Sequence, residues 1–117
     1  MACRWGTQTP FINFTFDWTC PEDLKAQRPF IGRKQADFTY GELQAEMDMI
    51  NKAFLEVMTE GDALGRPFTF PIPTYNITPD FPWEHPNVKP LFDLAAKYGI
   101  PNFQNFLNSD LNPTDVR

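Results

Sequence analysis

The chain has few of the residues that usually carry catalysis. It contains two cysteines, Cys3 and Cys20, one histidine, His85, and one serine, Ser109. The cysteines lie 17 positions apart, with no histidine or further cysteine near either, so the spacing of a zinc or iron site is missing. A disulfide between them is not excluded by spacing but is disfavoured in a reducing compartment. His85 stands in Trp83-Glu84-His85-Pro86 without a partner nucleophile and reads as a surface histidine in a loop. Ser109 lacks the flanking glycines of a nucleophile elbow, and there is no Gly-rich phosphate loop or zinc-protease helix. No apolar run approaches the roughly 20 residues of a membrane helix. No basic segment precedes an apolar one at the N-terminus, so a secretory leader is not expected and the cytoplasm is the expected location. Basic residues are scattered and the net charge is −5, which argues against a nucleic-acid partner.

Phenylalanine and proline, by contrast, each occur 12 times among 117 residues. The prolines fall mostly between periodic segments and act as stops. So many aromatics require either a dense core or a face that further polypeptide covers. The length fits a single unit, with no separate second domain over residues 1–117.

Ile12, Phe14 and Phe16 alternate with Asn13, Thr15 and Asp17, predicting a strand over 10–17. Pro21 to Leu24 can open a short helix, and Arg28 to Gly32 read as loop. Thr39 and Glu42 form a capping box, with Phe38 and Leu43 as a hydrophobic staple. Leu43, Met47, Ile50, Phe54, Val57 and Met58 then recur at helical spacing up to Gly61. The charged residues of this segment read as a solvated face, with Asp48 and Lys52 paired one turn apart. Phe68, Phe70 and Ile72 alternate with Thr69, Pro71 and Pro73, predicting a second strand that is cut short or lies at an edge. Asn87 is placed to cap a further helix with Val88, Leu91, Leu94, Ala95 and Tyr98 inward, closed by Gly99 and Pro101. Phe103 to Leu107 predict a third strand.

The expected order is strand-helix-strand-helix-strand, an α/β segment with parallel pairing. Two helices on one side would leave the other sheet face bare, whereas parallel sheets normally have both faces covered. Ligands of such folds bind outside the carboxyl ends of the strands. These ends are expected at Asp17 to Thr19, Thr74 to Asn76 and Asn108 to Asp110. Such residues also form turns by bonding their own backbone, so both readings stand.

Three blocks carry a wider likeness: Arg4-Trp5-Gly6-Thr7-Gln8-Thr9-Pro10-Phe11, the run Phe70 to Thr78, and the run Asn102 to Asp110. Together they resemble the central region of the anaerobic, class III ribonucleoside-triphosphate reductases, which are glycyl-radical enzymes. The likeness covers essentially the whole chain. It departs at Cys3, where serine is expected before Arg4-Trp5-Gly6.

The resemblance implies an internal piece of a ten-stranded α/β catalytic barrel, part of an oxidoreductase that reduces ribonucleoside triphosphates for DNA synthesis. For the full-length family, and not within this segment, it implies a glycyl radical, a radical cysteine on a finger loop, formate as reductant, structural zinc and nucleotide effectors. Its implied partners are the ribonucleoside triphosphate, the rest of the reductase chain, a radical-SAM activating enzyme and a second protomer, without membrane or nucleic acid. Asn108-Ser109-Asp110-Leu111 and Asp115-Val116-Arg117 resemble the approach to the finger-loop cysteine, and neither Cys3 nor Cys20 matches that cysteine. No catalytic residue is therefore assigned. Gln8, Thr9, Thr74, Asn105 and Asn108 are the substrate-side candidates, and the segment alone is expected to be inactive. The competing expectation is a small stand-alone α/β binding module without catalysis; an independent hydrolase lacks a nucleophile–base pair.

Overall fold

The computed structural model describes residues 6, 8 and 10–111. Its centre is a parallel sheet in the order β1 (Asn13–Phe16), β4 (Ile72–Ile77), β5 (Asn102–Asn105). The helices α2 (Gln44–Glu60) and α3 (Val88–Tyr98) connect the strands. Strand-helix-strand-helix-strand with parallel pairing is thus the observed order. A short helix α1 (Glu22–Lys25) and a hairpin of β2 (Phe30–Ile31) and β3 (Lys34–Gln35) lie between β1 and α2. No helix among the described residues is long and apolar enough to cross a membrane.

The hairpin replaces the expected loop at 28–32. Its two central residues, Gly32 and Arg33, have φ of 56° and 72°. Positive φ at both positions is the primed turn geometry that matches strand twist. Arginine there is not the usual signal for such a turn.

Strand β4 begins where the alternating pattern had it ending, and it is the central strand, not an edge. Pro73 is compatible with this because of where its missing N–H would point. The Ile72 N–H donates to Ile12 O, so the nitrogen of the next residue faces β5. Pairing with β5 starts only at Thr74 opposite Asn102, one residue later. No ladder bond is lost. Phe68 and Phe70 precede the strand; Phe68 packs against the core, and Phe70 meets Phe11 edge-on at 5.2 Å.

Thr39 and Glu42 form the capping box, opening a 3₁₀ turn (Tyr40–Leu43) that leads into α2. The buried seam of α2 is Asn51, Leu55 and Met58, rotated from the expected stripe. Ile50 and Val57 point outward, 62% and 52% exposed. The rotation follows from Tyr75, fully buried on β4, whose hydroxyl donates to Asn51 Oδ1 at 3.1 Å. A buried phenol requires an acceptor, and the helix turns its one short amide inward to supply it. Helix α2 stops at Gly61, with φ of 82°; a Cβ there would stand 2.4 Å from Arg66 O. Helix α3 buries Val88, Leu91 and Leu94, as its spacing predicts.

Both helices pack on one face of the sheet. Trp18, Leu55, Met58, Tyr75, Ile77, Phe81, Val88, Leu91 and Leu94 form that core, with Phe16 and Phe54 at its margin. Register puts Thr15, Thr74 and Asn102 side by side on the opposite face, followed by Asn76 and Gln104. That second face is polar, and its edge-strand residues Asn13, Thr15, Asn102 and Gln104 are exposed.

Two polar assignments change. Asn87 begins α3 without a side-chain cap bond; its Nδ2 donates instead to Asp48 O at 3.0 Å. Asp48 pairs with His85 Nε2 at 3.3 Å, whereas Lys52 lies 3.9 Å from Glu56. His85 is accordingly a half-buried linker and not a free surface residue. Its Nδ1 accepts the Asn87 N–H at 3.1 Å, which places the proton on Nε2, toward Asp48.

Candidate functional site

Parallel strands end together, and here three such ends surround a cavity of about 690 Å³. The exit of β1 contributes Asp17 to Asp23, that of β4 contributes Asn76 and Thr78 to Asp80, and that of β5 contributes Phe106, Leu107 and Ser109. The position follows from topology, since every strand delivers its exit loop to the same side of the sheet.

Asn76 is the deepest polar group, only 4% exposed. Its Nδ2 donates to Asp17 Oδ1 at 2.8 Å. Its Oδ1 is buried and has no hydrogen-bond partner among the described residues. The carboxylate sets the orientation of the amide. Asp17 can only accept, so turning the amide over would set oxygen against oxygen and strand the NH₂ instead.

Asp80 closes the rim. Thr19 Oγ1 donates to its Oδ2 at 2.8 Å, and Thr78 donates to its Oδ1. Chiefly through the Thr78 bond, its carboxyl is held below the usual range, against a smaller opposing effect of partial burial. The hydroxyls of Thr19 and Thr78 are therefore directed at Asp80. Cys20 is a free, buried thiol on the same wall, and burial pushes its pKa up. Its Sγ–H donates weakly to Pro21 O at 3.8 Å. A thiol in this state is protonated and a poor thiolate nucleophile.

Four carboxylates line the cavity: Asp17, Glu22, Asp23 and Asp80. The nearby cation Lys25 is held by Glu22 at 3.0 Å. No group of three or more histidine, cysteine or acidic side chains among the described residues is placed to hold a metal ion.

None of the five sequence candidates is among the described residues that line this cavity. Thr74 is buried on the polar sheet face, one pair below Asn76, with its hydroxyl 3.5 Å from Asn13 Oδ1. Asn105 ends β5, and its Oδ1 accepts the Leu107 N–H at 2.9 Å, turning the chain toward the rim. Asn108 is exposed and adjoins Ser109, which lines the cavity. Gln8 is exposed and is not among its lining residues, and Thr9 lies outside the described residues. Thr78, Asp80 and Cys20 were not among the candidates. The Thr78-Pro79-Asp80 turn was the only signal for the first two, readable once the end of β4 is known.

Fold and cavity define an α/β protein with a ligand-sized hollow at the carboxyl ends of parallel strands. A family model described as anaerobic ribonucleoside-triphosphate reductase matches residues 1–117, and the chain belongs to that family. It is thereby a member of an oxidoreductase-type ribonucleotide reductase family. No curated protein and no solved structure matches the chain.

Proposed function

We propose that this chain is a section of the catalytic barrel wall of an enzyme that reduces ribonucleoside triphosphates to deoxyribonucleoside triphosphates by radical chemistry. In this reading the polar sheet face and the strand-end cavity turn toward the barrel interior, and the barrel has ten strands. The observation that carries it is the family match over the full length, on a sheet whose helix-free face is hydroxyl- and amide-rich. An exposed polar face on a parallel sheet is unusual unless it borders a site or further polypeptide.

The radical glycine and radical cysteine belong, on this reading, to polypeptide other than these residues, as do the zinc site and the effector sites. Formate supplies the reducing equivalents, a radical-SAM activase generates the radical, and the working enzyme is a cytoplasmic homodimer. The contribution of this chain is enclosure and orientation. Phe16 stacks on Tyr75 at 5.2 Å and Trp18 meets Tyr75 edge-on at 5.3 Å, a ring cluster that backs the sheet and stiffens the wall. A wall of this kind excludes water and stray hydrogen donors from a reactive intermediate.

The test is an anaerobic assay with ribonucleoside triphosphate, formate and activase. The intact reductase carrying this chain is expected to form deoxynucleotide, and the 117 residues alone are expected to form none. Turnover by the isolated residues would refute the division of labour. A cooperative, monomeric melt of the isolated residues, joined to an intact protein without reductase activity, would favour the stand-alone binding module.

A further inference from the structure

The cavity at the strand ends is lined by hydrogen-bond acceptors, carboxylates among them. We infer that it recognises an uncharged, donor-bearing part of a nucleotide, a hydroxyl or amino group, and not the phosphates. The inference rests on the reductase reading for the ligand being a nucleotide, and on the cavity alone for which part of it enters.

Three observations carry it. Asn76 Oδ1 is an acceptor without a partner among the described residues, at a side chain 4% exposed. Buried polar atoms are nearly always paired, and an exception inside a cavity marks where a ligand or water belongs. What the atom lacks is a donor, because Asp17 has already claimed the NH₂ of the same amide at 2.8 Å. A phosphate at neutral pH offers acceptors almost exclusively and cannot fill that role. Secondly, the carboxylates of Glu22 and Asp80 line the hollow, and among the described residues the nearby cation Lys25 is engaged by Glu22. Like charge in a partly enclosed site disfavours an anion. Thirdly, the Thr19 and Thr78 hydroxyls, which could have donated to a phosphate, both donate to Asp80.

Sugar hydroxyls and the exocyclic amine of a base share the required chemistry. The probes are uridine, which has hydroxyls and no exocyclic amine, 2′,3′-dideoxyuridine, cytidine and inorganic triphosphate. Binding of each is measured by calorimetry to the intact reductase carrying this chain, as wild type, Asn76→Leu and Ser109→Trp. If sugar hydroxyls are the donors, wild type binds uridine about tenfold more tightly than the dideoxy analogue, as one good hydrogen bond to a buried acceptor gives. Asn76→Leu then erases that preference, because the interaction energy between residue and hydroxyl disappears from the cycle. If the base amine is the donor, cytidine is preferred over uridine and Asn76→Leu erases that preference instead. In both cases affinity for inorganic triphosphate is unchanged by Asn76→Leu.

Ser109 is exposed at the rim, so Ser109→Trp plugs the mouth without touching the core. It is expected to weaken every nucleoside at least tenfold, and it keeps the test decisive if Asn76→Leu does not fold. Unchanged nucleoside affinity in the plugged variant overturns the inference while leaving the reductase reading intact. So does loss of triphosphate affinity in Asn76→Leu equal to that of uridine. Failure of wild type to bind any nucleoside likewise overturns the inference, whereas the reductase reading itself falls only if the intact protein forms no deoxynucleotide in the anaerobic assay.

Discussion

The two faces of the sheet are made from the same strands by alternate residues, yet they have opposite chemistry. On β4, Pro73, Tyr75 and Ile77 enter an apolar core closed by α2 and α3, whereas Thr74 and Asn76 are buried on the amide-rich face. A stable sheet needs only the first arrangement. Burying two polar side chains on the central strand costs free energy unless they are paired, and Asn76 remains half-paired. The difference teaches that stability and recognition are divided by face, not by region of the chain. One-residue alternation in a single six-residue strand separates them.

The division breaks most directly at the core. Leu91 on α3 is fully buried and central to the apolar face. Leu91→Ala is expected to lower unfolding free energy by about 2–5 kcal/mol, from lost transfer energy plus the cavity left behind. Urea denaturation measures it. A loss below about 1 kcal/mol would mean that the helices are not what holds the sheet.

Neighbouring positions on β4 sharpen the contrast. Tyr75→Phe removes the donor to Asn51 Oδ1 and leaves a buried acceptor unpaired. It is expected to cost about 1–3 kcal/mol in the same denaturation series. Thr74→Val keeps shape and removes only the long 3.5 Å contact to Asn13, so the expected change is within about 1 kcal/mol. Equal costs at the two positions would show that both faces serve stability alike.

How much of this was legible beforehand depends on how local each cause is. The capping box at Thr39 and Glu42, the inward face of α3 and its Gly99 stop are local, and each appears where its pattern predicts. The seam of α2 is not local: Asn51 is buried because of Tyr75, 24 residues away, and no helical periodicity contains that fact. The start of β4 is non-local too. Phe68 to Pro73 alternate as well as any strand, but pairing begins at Ile72 because that is where Asn13 lies. Misplacing that strand by a few residues also displaced the site. Of the residues expected at strand ends, Asp17, Thr19, Asn76 and Ser109 line the cavity. Thr78 and Asp80 escaped notice because β4 runs on to Ile77 and carries its exit loop with it.

The smallest expected effect lies on the rim and tests whether the polar end carries any folding energy of its own. Hydroxyl donors hold the Asp80 carboxyl below its ordinary range in the folded protein, Thr78 first and Thr19 with it. Between its folded and unfolded pKa values the unfolded chain binds more protons, so stability rises with pH through that window. The contribution is fully present above the ordinary carboxylate range and is lost as pH falls through the depressed folded value. Asp80 is largely open to solvent, which screens these interactions and keeps the effect small. Asp80→Asn is therefore expected to melt close to wild type in acid, where the wild-type carboxyl is already neutral, and slightly lower at neutral pH. Melting curves of both proteins across the acid range measure the gap. A gap that is widest in acid and closes toward neutrality would reverse the sign and remove Asp80 as the anchor of the β4 exit turn.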